Sequence, residues 1–504
     1  PTMKLYLSFY RQHHVASHSS TRRVAGGVAI VLSLLLLVAR CSRTSHSLIM
    51  ELIVLGTAIE QRGSISRGRV ELLQLPTGDT VSCAVVIVSG TLDGPTFLVT
   101  ASTSFIRVAR SSTITNSVSL SCVLVSLSVI YKDIHGDEVT GVVVVHRVIE
   151  RLSAQLEQVR GRVVFIPSLN PTGLLAGTRF PQFDAHDPNR AWPNSKPSGV
   201  GLSESERATD DHWDALQRRI DERQLPQETA FAALFALLAA IKPSAHIDLH
   251  TFSTLSLPFI FMDRVLYDTD EHRAEAIELF ERTQQMVTAM QLTVLLERPA
   301  VCRHSHRMID RARERARSLN HMPLNRVLIR AVYQHVYIKQ KLHRSTSGAT
   351  LNKLRIPSCT IELGPMDVVS PSCRDAGIQA VWNALSWLGN LAPHEQQPIT
   401  ACRTIRFTEP HRYMVYPQAT CTGIVDFLLE VGSEFQRGDR LAVIRSIDGT
   451  VLEYVVAEMD GWLIAWSNET AVYKNQTLGM VAVADHKAPG VLKWSELPPI
   501  TFAT

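Results

Sequence analysis

From Met50 onward, short apolar runs rich in β-branched residues alternate with longer amphipathic stretches. The short runs predict strands at residues 83–88, 96–101, 162–166, 245–249, 258–262, 292–296 and 359–363. Apolar positions recurring at helical spacing predict helices over residues 141–159, 204–220, 228–241, 271–290 and 375–388. Strands alternating with helices of this length make an α/β domain whose sheet is buried between helical layers.

Two stretches break that rhythm. Residues 102–133 are rich in Ser, Thr and Val without a helical period, and residues 301–336 interrupt an otherwise continuous pattern. Unstructured stretches of this length are uncommon inside compact domains, so both are expected to be lineage-specific insertions or intron sequence translated in frame. Beyond a Pro-containing linker at residues 392–398 the pattern changes again. Residues 404–486 are short β runs split by turn pairs such as Gly438-Asp439, Asp448-Gly449 and Asp460-Gly461, which predicts a separate small all-β domain. The expected organisation is an extension over 1–49, a main domain over 50–391 carrying both insertions, and the β domain over 404–486.

Composition bounds the class. A chain of 504 residues is expected to hold two or three domains, and 45% hydrophobic with 19% charged residues is the balance of a globular protein. The net charge of +4 is concentrated, because residues 301–336 hold eight Arg against Asp310 and Glu314. No aromatic interleaving or recognition motif accompanies this basic run, and no nucleic-acid partner is expected. The eight Cys are scattered with no CxxC, which favours a reducing compartment and a cytoplasmic location. The uncharged run 24–39, flanked by Arg23 and Arg40, is short for a spanning helix of about 20 residues. A genuine segment over 22–40 would instead imply a membrane-anchored or secretory form. A start at Met50 would remove it, and the opening Pro1 is read as a fragment or an unusual gene model.

The candidate chemistry starts at His135-Gly136-Asp137-Glu138. An imidazole and a carboxylate three residues apart can bind one ion from a single turn. A bare HxxE is equally a solvated helix start. Asp248-Leu249-His250 then ends an apolar strand, where active sites of open α/β sheets gather, and His250 can supply a third ligand. Three protein ligands leave a fourth position for water, which distinguishes catalytic from structural zinc. Asp248 reads either as a strand-end carboxylate or as a group supporting a ligand. His246 is expected to face the opposite side or the core. Asp187-Pro188-Asn189-Arg190 and the preceding Arg179 are a substrate clamp or an ordinary surface loop. Glu362, alone in the apolar run Thr360–Gly364, is costly to bury unless paired or working, and it is the candidate general base.

Taken in order, HGDE, NPTG at Asn170–Gly173, DPNR, DLH and IELG resemble the succinylglutamate desuccinylase/aspartoacylase family, relatives of the zinc carboxypeptidases. The resemblance covers roughly residues 50–391 outside the insertions. It implies a zinc-carboxypeptidase-like mixed sheet flanked by helices, followed by a small β barrel-like domain. It also implies one Zn2+ per chain held by His135, Glu138 and His250, with Asn189, Arg190 and Arg179 contacting substrate. Arg179 or Arg190 would stabilise the oxyanion, and Glu362 would activate water. The implied reaction is hydrolysis of an amide or ester bond in a small N-acylated amino-acid-like molecule. Pro188 replaces the leucine usual at its position, which alters the loop but keeps the Asn-Arg pair. The C-terminal segment loosely resembles biotinyl or lipoyl carriers, yet no Lys lies between Gln436 and Tyr473 to serve as an attachment point. Two other readings stay open: a zinc carboxypeptidase acting on peptides, and a noncatalytic metal-binding protein disabled by its insertions.

Overall fold

The computed structural model describes residues 54–74, 80–101, 138–177, 189, 192, 226–296, 345–366, 368–392, 397–485 and 490–493. The extension over 1–49, both proposed insertions and the helix expected at 204–220 lie outside these residues. The strands of the N-terminal half are β1 (Val54–Leu55), β2 (Ala58–Ile59), β3 (Ser64–Gln74), β4 (Thr80–Ser89), β5 (Leu92–Ala101), β6 (Arg160–Ile166) and β7 (Ala245–His250). They continue with β8 (Phe259–Met262), β9 (Val265–Tyr267), β10 (Thr293–Leu296) and β11 (Ser358–Glu362). The C-terminal strands are β12 (His411–Val415), β13 (Gly423–Phe427), β14 (Glu434–Phe435), β15 (Arg440–Arg445), β16 (Val451–Val456), β17 (Gly461–Trp466), β18 (Ala471–Val472), β19 (Gly479–Ala484) and β20 (Val491–Lys493). The helices described are α1 (Thr140–Ser153), α2 (Pro171–Ala176), α3 (Pro226–Ile241), α4 (Arg273–Ala289), α5 (Thr346–Lys353) and α6 (Pro371–Leu388).

All seven strands expected in the main domain form. Of the helices within the described residues, the one expected over 141–159 stops at Ser153. Ala154 caps it, and a single tight turn at Leu156–Gln158 then carries the chain into β6. Helix α6 starts where Ser370 accepts a hydrogen bond from the Cys373 amide and Pro371 occupies its first turn. It ends at Gly389, whose φ of 88° is left-handed.

Twelve strands form one mixed sheet in the order β14-β17-β19-β12-β10-β8-β11-β7-β5-β6-β4-β3. At its centre β11, β7, β5 and β6 run parallel, while β8 and β4 flank this block antiparallel. Parallel strands need both faces covered, and two apolar clusters do this. One joins Val99, Ile247, Leu249 and Ile361 to Val144, Val148 and Leu152 of α1 and to Ala376, Ala380 and Leu385 of α6. Gly377 permits the close approach, since a Cβ there would meet Leu363 Cδ2 at 2.8 Å and Val144 Cγ2 at 2.9 Å. The other cluster joins Leu98, Val164 and Ile166 to Phe231, Leu234 and Leu238 of α3, with Trp192 and Ala349.

Strand β12 meets β10 through one pairing, Leu296 with Arg412, so the C-terminal strands extend the central sheet. They also have their own core, including Leu441, Ile444, Val455, Leu463 and Val481, and a second four-stranded antiparallel sheet ordered β16-β15-β13-β18. Among the described residues, no helix is long and apolar enough to cross a membrane.

Candidate active site

Side chains alternate along a strand, and β7 uses the alternation to separate chemistry from packing. Ile247 and Leu249 enter the cluster beneath α1 and α6, while His246, Asp248 and His250 share the other face. The parallel register sets Ser358 beside His246, Thr360 beside Asp248 and Glu362 beside His250, with Thr100 of β5 opposite Asp248. The result is a polar face across three strands. His246, Asp248, His250, Ser358, Glu362 and Thr100 are each fully buried.

His246 therefore lies on the same face as His250, within the core and two pleats deeper; a spacing of four residues along a strand requires it. Thr100 Oγ1 donates its hydrogen to Asp248 Oδ1 at 2.5 Å and lies 3.1 Å from His246 Nε2. With that hydrogen committed, His246 donates from Nε2, and its Nδ1 accepts from Ser358 Oγ at 2.8 Å. Burial pushes His246 down to about 3 and Asp248 up to about 8, the latter opposed by hydrogen bonds from Thr100 and Thr346.

His250 is held from both sides. Its Nε2 lies 3.1 Å from Asp248 Oδ2, and its Nδ1 lies 3.3 Å from Glu138 Oε2. Glu138 precedes α1, is fully buried, and accepts a hydrogen bond at the same oxygen from the Thr251 amide at 3.0 Å. Next to His250, neither oxygen of Glu362 has a hydrogen-bond partner among the described residues. Burial raises its pKa well above the ordinary carboxylate range, and the charge of Asp248 raises it further.

Asn189 is buried with its Oδ1 accepting from the Thr346 amide at 2.8 Å, at the start of α5. That helix is capped by Ser345, which accepts from the Gly348 amide at 2.9 Å. Ser347 donates to Asp263 and accepts from Thr360, extending the polar network over β11.

Of the residues expected to act, the fold brings Glu138, His250 and Glu362 together. His135, Arg179 and Arg190 lie outside the described residues. Among the described residues, no group of three His, Cys, Asp or Glu is arranged to hold a metal ion. Sequence reading overlooked Thr100, Ser358 and Thr346, which orient His246, Asp248 and Asn189. For Thr346 a cue existed in Ser345-Thr346-Ser347-Gly348, a serine cap followed three residues later by the amide it accepts from.

The family model of the succinylglutamate desuccinylase/aspartoacylase catalytic domain matches residues 129–388. No curated protein sequence matches the chain. Among solved structures, a succinylglutamate desuccinylase/aspartoacylase from Rhodobacter sphaeroides is similar at a TM-score of 0.50 and 16% identity, over 84% of this chain and 95% of that one. The product-bound ectoine utilization protein EutE (DoeB) from Ruegeria pomeroyi also has a TM-score of 0.50 at 16% identity, over 84% of this chain and 97% of that one. At this identity the likeness establishes a shared fold.

Proposed function

Because the chain belongs to the succinylglutamate desuccinylase/aspartoacylase family of hydrolases, we propose that it is a zinc-dependent deacylase cleaving an amide or ester bond in a small N-acylated amino-acid-like substrate. The observation that carries the metal reading is the 3.3 Å between His250 Nδ1 and Glu138 Oε2. In the tautomer that gives the Nε2 hydrogen to Asp248, Nδ1 presents a lone pair to a carboxylate oxygen in a fully buried setting. Two acceptors in that position call for a proton or cation. Two ligands about 2.0–2.1 Å from a tetrahedral zinc are roughly 3.3 Å from each other, so the pair fits the ion. Asp248 behind the imidazole is the kind of carboxylate that fixes a ligand's orientation. His135 is the proposed third ligand.

Zinc bound there supplies a Lewis acid that polarises a carbonyl and lowers the pKa of water. Glu362, beside His250 and without a hydrogen-bond partner among the described residues, takes the proton of the attacking water and returns it to the leaving group. The raised pKa of Glu362 makes its carboxylate a stronger base than an exposed one. Asn189, Arg190 and Arg179 are assigned to substrate. Because the Asn189 oxygen is engaged by α5, its contact with substrate would run through the amide NH2.

A hydrolysis screen of N-acyl amino acids and C-terminal peptide substrates, with and without chelator, tests this reading. The expected result is release of the acyl group, loss of turnover in chelator and recovery with added zinc. Hydrolysis indifferent to chelator would remove the metal, and cleavage restricted to C-terminal peptides would make the protein a carboxypeptidase.

A further inference from the structure

The segment following His250 is held between the candidate site and the C-terminal strands. On the site side, the Thr251 amide donates to Glu138 Oε2 at 3.0 Å and the Phe252 amide donates to the Gly364 carbonyl at 2.9 Å. The Leu363 amide donates to the His250 carbonyl at 2.8 Å, tying the ends of β7 and β11 together. On the other side the segment runs as an added antiparallel partner of β17. Leu257 N donates to Ile464 O at 3.0 Å, Trp466 N donates to Leu255 O at 2.9 Å, and Ser256 bridges Ala465.

Asn468 stands just past β17, where these two sets of contacts come closest. Its Oδ1 accepts from the Thr254 amide at 2.8 Å and from Ser253 Oγ at 3.0 Å, and Ser253 also donates to the Trp466 carbonyl. The end of β17 is itself anchored. The Trp466 ring stacks on Phe427 at 4.3 Å, and its indole nitrogen donates to Leu429 O at 2.8 Å. Only Phe252 separates the residue held by Glu138 from the first residue held by Asn468, so the chain has little slack between the two grips.

We infer that Asn468 is a positioning residue for the proposed metal site: by fixing Ser253 and Thr254 it sets the Thr251 amide that orients Glu138. The inference rests on the reading of Glu138 and His250 as metal ligands. It gives the C-terminal β region a role in the chemistry of the main sheet through the backbone of residues 251–254. A carboxylate held in part by a backbone N–H loses geometry when that N–H drifts, and ligand supports of this kind are commonly worth 10–100-fold in metal affinity or activity.

The test uses the full chain, zinc affinity by chelator competition, and steady-state kinetics on whichever acylated substrate the wild type hydrolyses. Asn468→Leu keeps the approximate size and removes the acceptor. It should weaken zinc binding by about tenfold and lower kcat with KM changed less than about twofold. Asn468→Asp retains an acceptor oxygen and should restore affinity to within about twofold of wild type. Tyr416→Phe removes comparable bonds, to the Val456 carbonyl and from the Glu458 amide, elsewhere in the same β region. That variant should leave zinc affinity unchanged. Wild-type affinity in Asn468→Leu, no rescue by Asn468→Asp, or an equal loss in Tyr416→Phe overturns the positioning role. Failure of the wild-type chain itself to take up zinc overturns the metal reading, and the inference falls with it.

Discussion

The two faces of β7 share one backbone and are equally dry, yet they hold opposite kinds of residue. Ile247 and Leu249 join an apolar cluster with residues of α1 and α6 and gain by leaving water. His246, Asp248 and His250 on the other face are just as buried and each needs a partner to offset desolvation. Thr100, Ser358 and Thr346 supply those partners for His246 and Asp248, so the inner part of this face is a satisfied structural network. At the strand's end the network stops, and Glu362, with no hydrogen-bond partner among the described residues, sits in register beside His250, which contacts Glu138. The difference teaches that burial alone does not mark the site. An unmet polar requirement beside a close imidazole–carboxylate pair does.

The largest expected effect comes from the unmet group. Glu362→Gln keeps the shape and removes the base, and should cut kcat by roughly 10²–10⁴-fold. Zinc content measured on the purified variant should stay at the wild-type level, and thermal stability should be equal or higher because a buried carboxylate has been removed. A fully active Glu362→Gln would erase the proposed functional distinction between the end of the strand and its interior.

Next in size is the apolar face. Leu249→Ala deletes a fully buried side chain packed beneath α1 and should cost about 2–5 kcal/mol in urea denaturation. Turnover per folded molecule should fall far less than in Glu362→Gln. If activity collapsed while stability held, the separation of packing from chemistry on this strand would be wrong.

The smallest effect sharpens the contrast within the polar face. His246 has a folded pKa depressed to about 3 from 6.5, so below pH 6.5 the unfolded chain binds a proton that the native state excludes. Its contribution to stability is present above pH 6.5 and is lost as pH falls toward about 3. By pH 4.5 the loss should reach about 2–3 kcal/mol. In His246→Gln this component should vanish, leaving a shallower decline in unfolding free energy below pH 6.5. Parallel pH curves for the two proteins would show that His246 is protonated in the native state.

How much of this could be read in advance depends on the range of each interaction. The run Ala245–His250 announces a strand, and its alternation implies that His246, Asp248 and His250 share a face; of the two places expected for His246, the opposite side or the core, it takes the core. Glu362 stood out as a carboxylate in an apolar strand, for the local reason that burying it is expensive. The roles of Thr100 and Ser358 were illegible, and the Ser345 cap marked a helix start without showing that Thr346 partners Asp248, because each of the three partners a β7 side chain from about 100 or more positions away. Register between distant strands is set by how whole elements pack, and a residue window does not contain it.

The sequence by itself determined the element types of the main sheet, the ordered motifs that indicated the family, and the choice of Glu138, His250 and Glu362 as chemical candidates. Those follow from side-chain period and residue chemistry, which act over a few positions. Only the tertiary structure decided that His250 Nδ1 and Glu138 Oε2 stand 3.3 Å apart, that Asp248 backs the imidazole, and that Asn468 grips the segment leading from it. Those distances depend on the register of β5, β7 and β11 and on β17 packing against the chain after His250. Both arise when long-range burial selects one arrangement from the many that local pattern permits.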